Sequence, residues 1–393
     1  MPFNFDEVID RSGTNSVKWS GAGLYLKEAE RAAAPLPMWV ADMDFRSPEP
    51  VLEALREAVD YGIFGYPAGA TRGYVRAVLD WQGRRFGWEP APEWLVQVPG
   101  VITGLKTLVQ VFSSPGDSVL VQPPVYIHFH ADPVLIGRQV AWAPLALRDG
   151  RYAFDPETFA AAIRPDTKLF ILSNPHNPTG NVWSEDELRA MGEICFRHGI
   201  LVVSDEIHQD FVLNPARRHI PFASLGPAFA ANSFICTSAS KTFNLAGLQC
   251  ANLFVPDPRR REEVRRQIDR NFYSKMNLLG MVATEAAYTH GEPWLAALLD
   301  YLGNNQRHFA SALNARTGKV RVHAMDSLFL AWIDCRELGL EAEALSHFML
   351  TRARVWFDQG QKFGPEGHGF LRANLGCPRR TVDEALERLG AVL

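Results

Sequence analysis

The sequence predicts an α/β protein in which a mostly parallel sheet forms a large domain and a smaller α+β domain packs beside it. Three observations predict this. Between about residues 94 and 255, short runs of consecutive apolar residues alternate with helix-length amphipathic stretches, and uninterrupted apolar runs suit strands covered on both faces. Polar residues gather where those runs stop, and an open parallel sheet forms its sites at the carboxyl ends of its strands. Beyond about residue 257 the texture changes to long helices with a few late strands, which marks a second unit. The large domain is placed at residues 48–290, and the small domain at 1–47 and 291–393 with an N-terminal arm.

Taken in order, the strand candidates of the large domain are 94–98, 118–121, 168–172, 200–204, 233–236 and 251–255. PGVITG, residues 99–104, turns the first of them into a helix over 102–112. A helix over 185–197 opens with Ser184 as N-cap and Glu187 three residues on, the pattern of a capping box. Beyond residue 257, helices are expected over 259–270 and 294–315, strands around 328–333 and 369–375, and a last helix from 382. No internal repeat, low-complexity tract or long linker interrupts the chain, so the two parts are expected to pack as one rigid unit.

Composition narrows the function. At 393 residues and 47% hydrophobic, the chain has ample material for a large buried core. A net charge of -4 without any basic run argues against a nucleic acid or an anionic membrane as partner. The five cysteines are scattered without a CxxC pair, mostly in apolar contexts, as expected of free thiols in a reducing compartment. MPFNFDEVID is acidic where a secretory signal is basic, and no apolar run approaches the ~18 residues a membrane span needs. A cytoplasmic protein is expected.

The strand ends carry the chemistry. SNPHNPTG, residues 173–180, packs two Asn-Pro pairs after a strand; the prolines fix the backbone and Gly180 allows a tight exit, so the Asn177 amide can be held in one orientation. Asp205 closes the apolar run 200–204 and should be buried. A buried carboxylate needs a cationic or strongly donating partner, which is either an arginine, a helix N-terminus or a protonated heterocyclic nitrogen. Gly100, Val101 and Ile102 open a helix whose free amides can bind an anion. Tyr126 follows another strand and can stack on a flat ring or simply pack in the core. TSASKTFNLAG, residues 237–247, places Lys241 just beyond a strand with Ser238 and Ser240 beside it as donors to a phosphate. His128 and His130 alternate on one extended stretch, but no cysteine or carboxylate pattern completes a metal site, so no metal is expected.

An amine, a buried carboxylate, an asparagine, an aromatic face and phosphate donors together suit one ligand, pyridoxal 5′-phosphate (PLP) bound covalently to a lysine. SNPHNPTG, SDEIH and SASKTFNLAG, in this order and at these separations, resemble the aspartate aminotransferase fold family of PLP enzymes over almost the whole chain. That resemblance implies that Lys241 carries the cofactor, Asp205 faces the pyridine nitrogen, and Asn177 donates to the ring 3-oxygen. Tyr126 then stacks on the ring, and Gly100, Val101 and Ile102 with Ser238 and Ser240 cradle the phosphate. Arg372, in GFLRANLGCP, resembles the family arginine that clamps the substrate α-carboxylate. Tyr66, in FGYP, resembles a residue that reaches the neighbouring subunit's site, which implies a homodimer.

Two positions depart from the transaminase pattern: His208 stands where those enzymes usually carry tyrosine, and Gln249 where they usually carry a phosphate-binding arginine. Together with FDEVIDRSGTNSVKW (5–19), LPMWVADMDF (36–45) and NLGCPR (374–379), these departures resemble the cystathionine β-lyase-like carbon–sulfur lyases of the same fold family. The implied reaction is α,β-elimination from a sulfur amino acid to give thiol, pyruvate and ammonia. An aminotransferase remains the alternative with the same cofactor, and a non-catalytic, partner-binding member of the fold is the alternative from outside catalysis. Ser238-x-x-Lys241 formally matches the SxxK of penicillin-binding enzymes, but its S-D-N and K-T-G companions are missing from the sequence.

Overall fold

Alternate residues of each apolar run face two different cores, which is why the runs carry no polar period. In the computed structural model, which describes residues 3–271, 273 and 275–393, seven strands form the large sheet. They are β1 (Leu95–Val98), β2 (Ser118–Val121), β3 (Gln139–Trp142), β4 (Thr167–Ser173), β5 (Leu201–Asp205), β6 (Ser233–Thr237) and β7 (Ala251–Phe254). Their order is β1-β7-β6-β5-β4-β2-β3, with β7 alone running against its neighbours. Phe170 and Leu172 of β4 enter one core, while Leu169 and Ile171 enter the other.

Helix α1 (Glu49–Tyr61) packs on α4 (Leu278–His290). Helix α2 (Val101–Phe112) sends Leu105, Leu108 and Val109 into the second core. In α3 (Glu185–Arg197) both hydrogen bonds of the Ser184–Glu187 capping box form, as the sequence predicts. Helix α5 (Glu292–Arg316) begins with Trp294, Leu295, Leu298 and Leu302 in the large core and continues with Phe309 and Leu313 in a smaller one. That smaller core lies under a four-stranded antiparallel sheet of β8 (Arg321–Val322), β9 (Leu330–Asp334), β10 (Asp358–Gln359) and β11 (Phe370–Asn374), in the order β8-β9-β11-β10. A last helix, α6 (Arg379–Gly390), covers it.

The structure differs from the sequence reading at the sheet edge and at the last helix. β3 has no counterpart among the expected strands because it lies at the sheet edge, with Gln139 and Trp142 exposed and no continuous buried run. The last helix starts at Arg379 rather than at 382, directly after Pro378 at its N-cap. Before the large sheet, the N-terminal chain pairs Leu36–Pro37 in parallel with Val355–Trp356. It then runs as a strap past both sheets: Met38 carbonyl accepts from the Asn374 amide at 2.8 Å, and Met43 amide donates to Asn244 Oδ1 at 3.0 Å. No helix among the described residues is long and apolar enough to cross a membrane.

Candidate active site

Register places the site. Ser173 of β4 pairs with Asp205 of β5, and Asp205 with Cys236 of β6, so three strands end at one level. A cavity of about 190 Å³ opens there, lined among others by Ser173, Asn177, Asp205, His208 and Lys241. The N-terminus of α2 and Tyr126 close it from the side.

Asp205 is 6% exposed, and among the described residues its side chain accepts a single hydrogen bond, from the Ile207 amide at 3.1 Å. Burial pushes its carboxyl up to about 7, against the Ile207 hydrogen bond and helped by the neighbouring Glu206 charge. No arginine or lysine among the described residues pairs with it. The arginine alternative is thereby removed, and the carboxylate faces the cavity without an ion-pair partner, the Lys241 charge acting on it only as a weaker, opposing influence. Such a group favours a protonated nitrogen placed in that cavity.

Lys241 sits in the short helical turn Ala239–Thr242, capped by Ser238, whose Oγ accepts from the Ser240 amide at 3.0 Å. Its Nζ donates to the Ala41 carbonyl at 2.6 Å. Burial first, and the Arg372 charge second, lower the ammonium to about 8, while Asp42 and Asp205 oppose the shift. A substantial neutral fraction near physiological pH is what a nucleophile or general base requires.

Asn177 is oriented by Arg372. The guanidinium has donors only, so the atom that receives its NH1 at 3.1 Å is the amide oxygen, which leaves the Asn177 NH2 for the cavity. The loop holding it turns at Gly180, where φ is +71° and an added Cβ would lie 2.6 Å from Met325. His208 lines the same wall, buried, with Nδ1 lacking a partner among the described residues; burial, then Lys241 and Arg372, drive its pKa well below the usual value. It is therefore a neutral imidazole. Gly100, Val101 and Ile102 line the opposite side, and Gly100 gives α2 no side-chain cap, so the first-turn amides of a 12-residue helix remain for an anion. Tyr126 is half-buried there, with its phenol raised to about 12 by burial, and so remains protonated.

Other expected residues stand outside this lining. Ser238 donates its one hydroxyl proton to the Cys250 carbonyl at 2.7 Å, so in this arrangement it can offer an anion no hydrogen. Ser240 contributes its amide to Ser238. Arg372, in β11, stands behind Asn177 and pairs with Asp358 Oδ2 at 2.9 Å, with its buried Nε lacking a partner among the described residues. Tyr66 is 93% exposed and borders a separate outer groove that also holds Gln249. His128 and His130 diverge, the first to Asp132 and the second to the Lys362 carbonyl. Sequence reading missed Ala41 and Asp358: one acts through its main chain, and the other is an ordinary surface-type residue until β10 sets it against Arg372.

The carboxylate without a cation, the amine of lowered pKa, the inward amide, the aromatic wall and the uncapped helix fit pyridoxal 5′-phosphate, and they define a PLP enzyme built on a strand-end lysine. Residues 41–389 match the profile of aminotransferase class I and II, and the chain belongs to that family. It is 43% identical to cystathionine beta-lyase PatB of Bacillus subtilis over 393 residues, 99% of this chain and all of that protein. Protein MalY of Escherichia coli is 32% identical over 391 residues, 98% of each chain. The crystal structure of cystalysin from Treponema denticola, which contains a pyridoxal 5′-phosphate cofactor, superposes with a TM-score of 0.93 at 30% identity, covering 100% of this chain and 98% of that one.

Proposed function

We propose that this protein is a PLP-dependent carbon–sulfur lyase that acts on cystathionine or another cysteine-derived thioether and releases a thiol, pyruvate and ammonia. The observation that carries the cofactor chemistry is the pairing, across one cavity, of a buried carboxylate lacking a cation with a lysine amine lowered to about 8. The end-to-end similarity to PatB supports elimination as the outcome.

Bound PLP supplies an electron sink for the pair released at the substrate Cα. Lys241 Nζ would hold the cofactor, and its amine, lowered to about 8, is the group that would take the Cα proton as general base. Asp205 would keep a ring nitrogen protonated, and the Asn177 NH2 would donate to a ring oxygen. His208, neutral and without a partner at Nδ1 among the described residues, offers a further polar atom on that wall. Gly100, Val101 and Ile102 would receive the phosphate at the start of α2. Ser238 joins them after its hydroxyl turns from Cys250, and Ser240 supports Ser238. Arg372 takes the substrate α-carboxylate with its free Nε–H and the NH2 now facing Asp358.

The site is completed by a second copy of the chain, to which Tyr66 belongs. Its ring is exposed beside the similarly exposed Tyr61, Ile63 and Phe64, an apolar cluster that a homodimer would cover. Five buried free cysteines support a reducing compartment, the cytoplasm.

Incubation with L-cystathionine and no 2-oxo acid tests the reading. Elimination regenerates the starting enzyme, so pyruvate, ammonia and thiol should accumulate over many turnovers. Turnover that stops after one equivalent and resumes only on adding a 2-oxo acid, with no thiol released, would establish an aminotransferase instead.

A further inference from the structure

The two N-terminal stretches 5–19 and 36–45 meet at one carboxylate. Asp44, 4% exposed, accepts Lys18 Nζ at 2.6 Å, Arg11 NH1 at 2.7 Å and Trp19 Nε1 at 2.8 Å. Arg11 also donates through NH2 to Asp42 Oδ2 at 2.7 Å, and Trp39 Nε1 returns a bond to the Lys18 carbonyl at 3.3 Å. Each of these contacts holds a residue of the strap between Trp39 and Asp44.

The same stretch touches the active site. The Ala41 carbonyl receives Lys241 Nζ, and the Trp39 carbonyl receives Arg372 NH2 at 3.3 Å. Asn374 Nδ2 bridges the Val40 and Asp42 carbonyls at 2.5 and 2.6 Å. Lys18 is 1% exposed, so Lys18–Asp44 is a buried ion pair. Such a pair roughly breaks even against apolar residues of the same volume, and what it adds is a fixed geometry. Here the geometry it fixes is the placement of two carbonyls against the lysine and the carboxylate-binding arginine.

We propose that Asp44, Lys18 and Arg11 are positioning residues that hold the strap in register, so that the Ala41 carbonyl orients the Lys241 amine and the Trp39 carbonyl orients Arg372. The inference rests on the reading of Lys241 as base and Arg372 as carboxylate clamp. It adds that their alignment is set by a charge cluster that touches neither substrate nor cofactor.

Lys18→Met, which keeps the volume, and Arg11→Gln, at a part-exposed side chain that folding tolerates, test it. In cofactor-free protein the Met43 and Asp44 amides, bonded to Asn244 and Gly376, should exchange with deuterium faster in both variants. In the holoenzymes PLP should still be fixed on Lys241 by borohydride, while kcat falls by roughly tenfold or more and KM for L-cystathionine rises, as misplacement of reacting groups by a fraction of an ångström demands. A lowered melting temperature with unchanged kcat and KM would make the cluster merely structural and overturn the proposal. Should Lys18→Met fail to fold, Arg11→Gln decides alone. The borohydride label separates the two possible failures: unlabelled Lys241 in the wild type overturns the reading of the lysine, whereas labelled Lys241 with unaltered kinetics overturns only the strap.

Discussion

Asp205 and Lys241 are displaced from their ordinary ionisation in opposite directions, and both displacements are measurable. The Asp205 carboxyl stands at about 7 in the fold against ~3.9 unfolded, so the native state binds more protons over that window. Stability of the cofactor-free protein should therefore fall as pH rises from about 4 to 7. Lys241, at about 8 in the fold against ~10.4 unfolded, binds more protons when unfolded, and its contribution makes stability rise between those values. Denaturant titrations of wild type and Asp205→Asn across pH 4 to 7 read the first effect as a shrinking advantage of the wild type; a constant difference would mean that Asp205 has a partner in the fold. In the holoenzyme Asp205→Asn should keep the cofactor yet lose ~2 to 3 kcal/mol of stabilisation, roughly 30- to 160-fold in rate, and near-normal turnover would reduce Asp205 to a structural role. Both residues were legible in the sequence because each follows a buried run. The Ala41 carbonyl was not: a main-chain acceptor has no residue type to betray it, and it meets Lys241 across 200 positions.

At the scale of elements, strand ends and helix starts do most of the placing. The interiors of β4, β5 and β6 were readable as apolar runs, and α3 was readable from its capping box. The edge strand β3 and the two-residue strand β10 were not, since pairing with neighbours, rather than their own composition, makes them strands. The start of α2 gives a test confined to one element. Gly100 has φ of −178°, an extended backbone that any residue adopts, and an added Cβ would meet no atom within 4 Å. Gly100→Val should therefore fold, at a cost of about 1 kcal/mol for a β-branched N-cap, but place its methyls in the space where the phosphate would meet the α2 amides. Its PLP dissociation constant, measured by fluorescence titration of the cofactor-free protein, should rise by roughly tenfold or more, equivalent to ~1.4 kcal/mol. Wild-type affinity would move the phosphate away from α2.

For the whole molecule, the exposed row formed by Tyr61, Ile63, Phe64 and Tyr66 is the feature that a single chain leaves unexplained. Tyr66 borders the outer groove with Gln249 and is absent from the lining of the cavity of its own chain, which is the placement that the proposed dimer with shared sites requires. Sequence resemblance supplied that expectation, and no local pattern could have, because exposure of an aromatic residue is a property of the folded surface. Sharing of sites makes a quantitative prediction. Lys241→Ala should be inactive and Tyr66→Ala strongly impaired, each in every site of its own dimer. In a twofold dimer formed by refolding the two variants together in equal amounts, half the molecules are hybrids. One site of each hybrid then carries both lesions, while the other takes Lys241 from one chain and Tyr66 from the other and is intact. Activity should recover to about a quarter of the wild-type value per site, well above the mean of the two variants alone. If both residues instead serve the same chain's site, every site in the hybrid keeps one lesion, and mixing should yield no more than that mean. Sedimentation of the mixture confirms that dimers have formed before the rates are compared, so an absence of recovery in verified hybrids would place Tyr66 outside the partner's site.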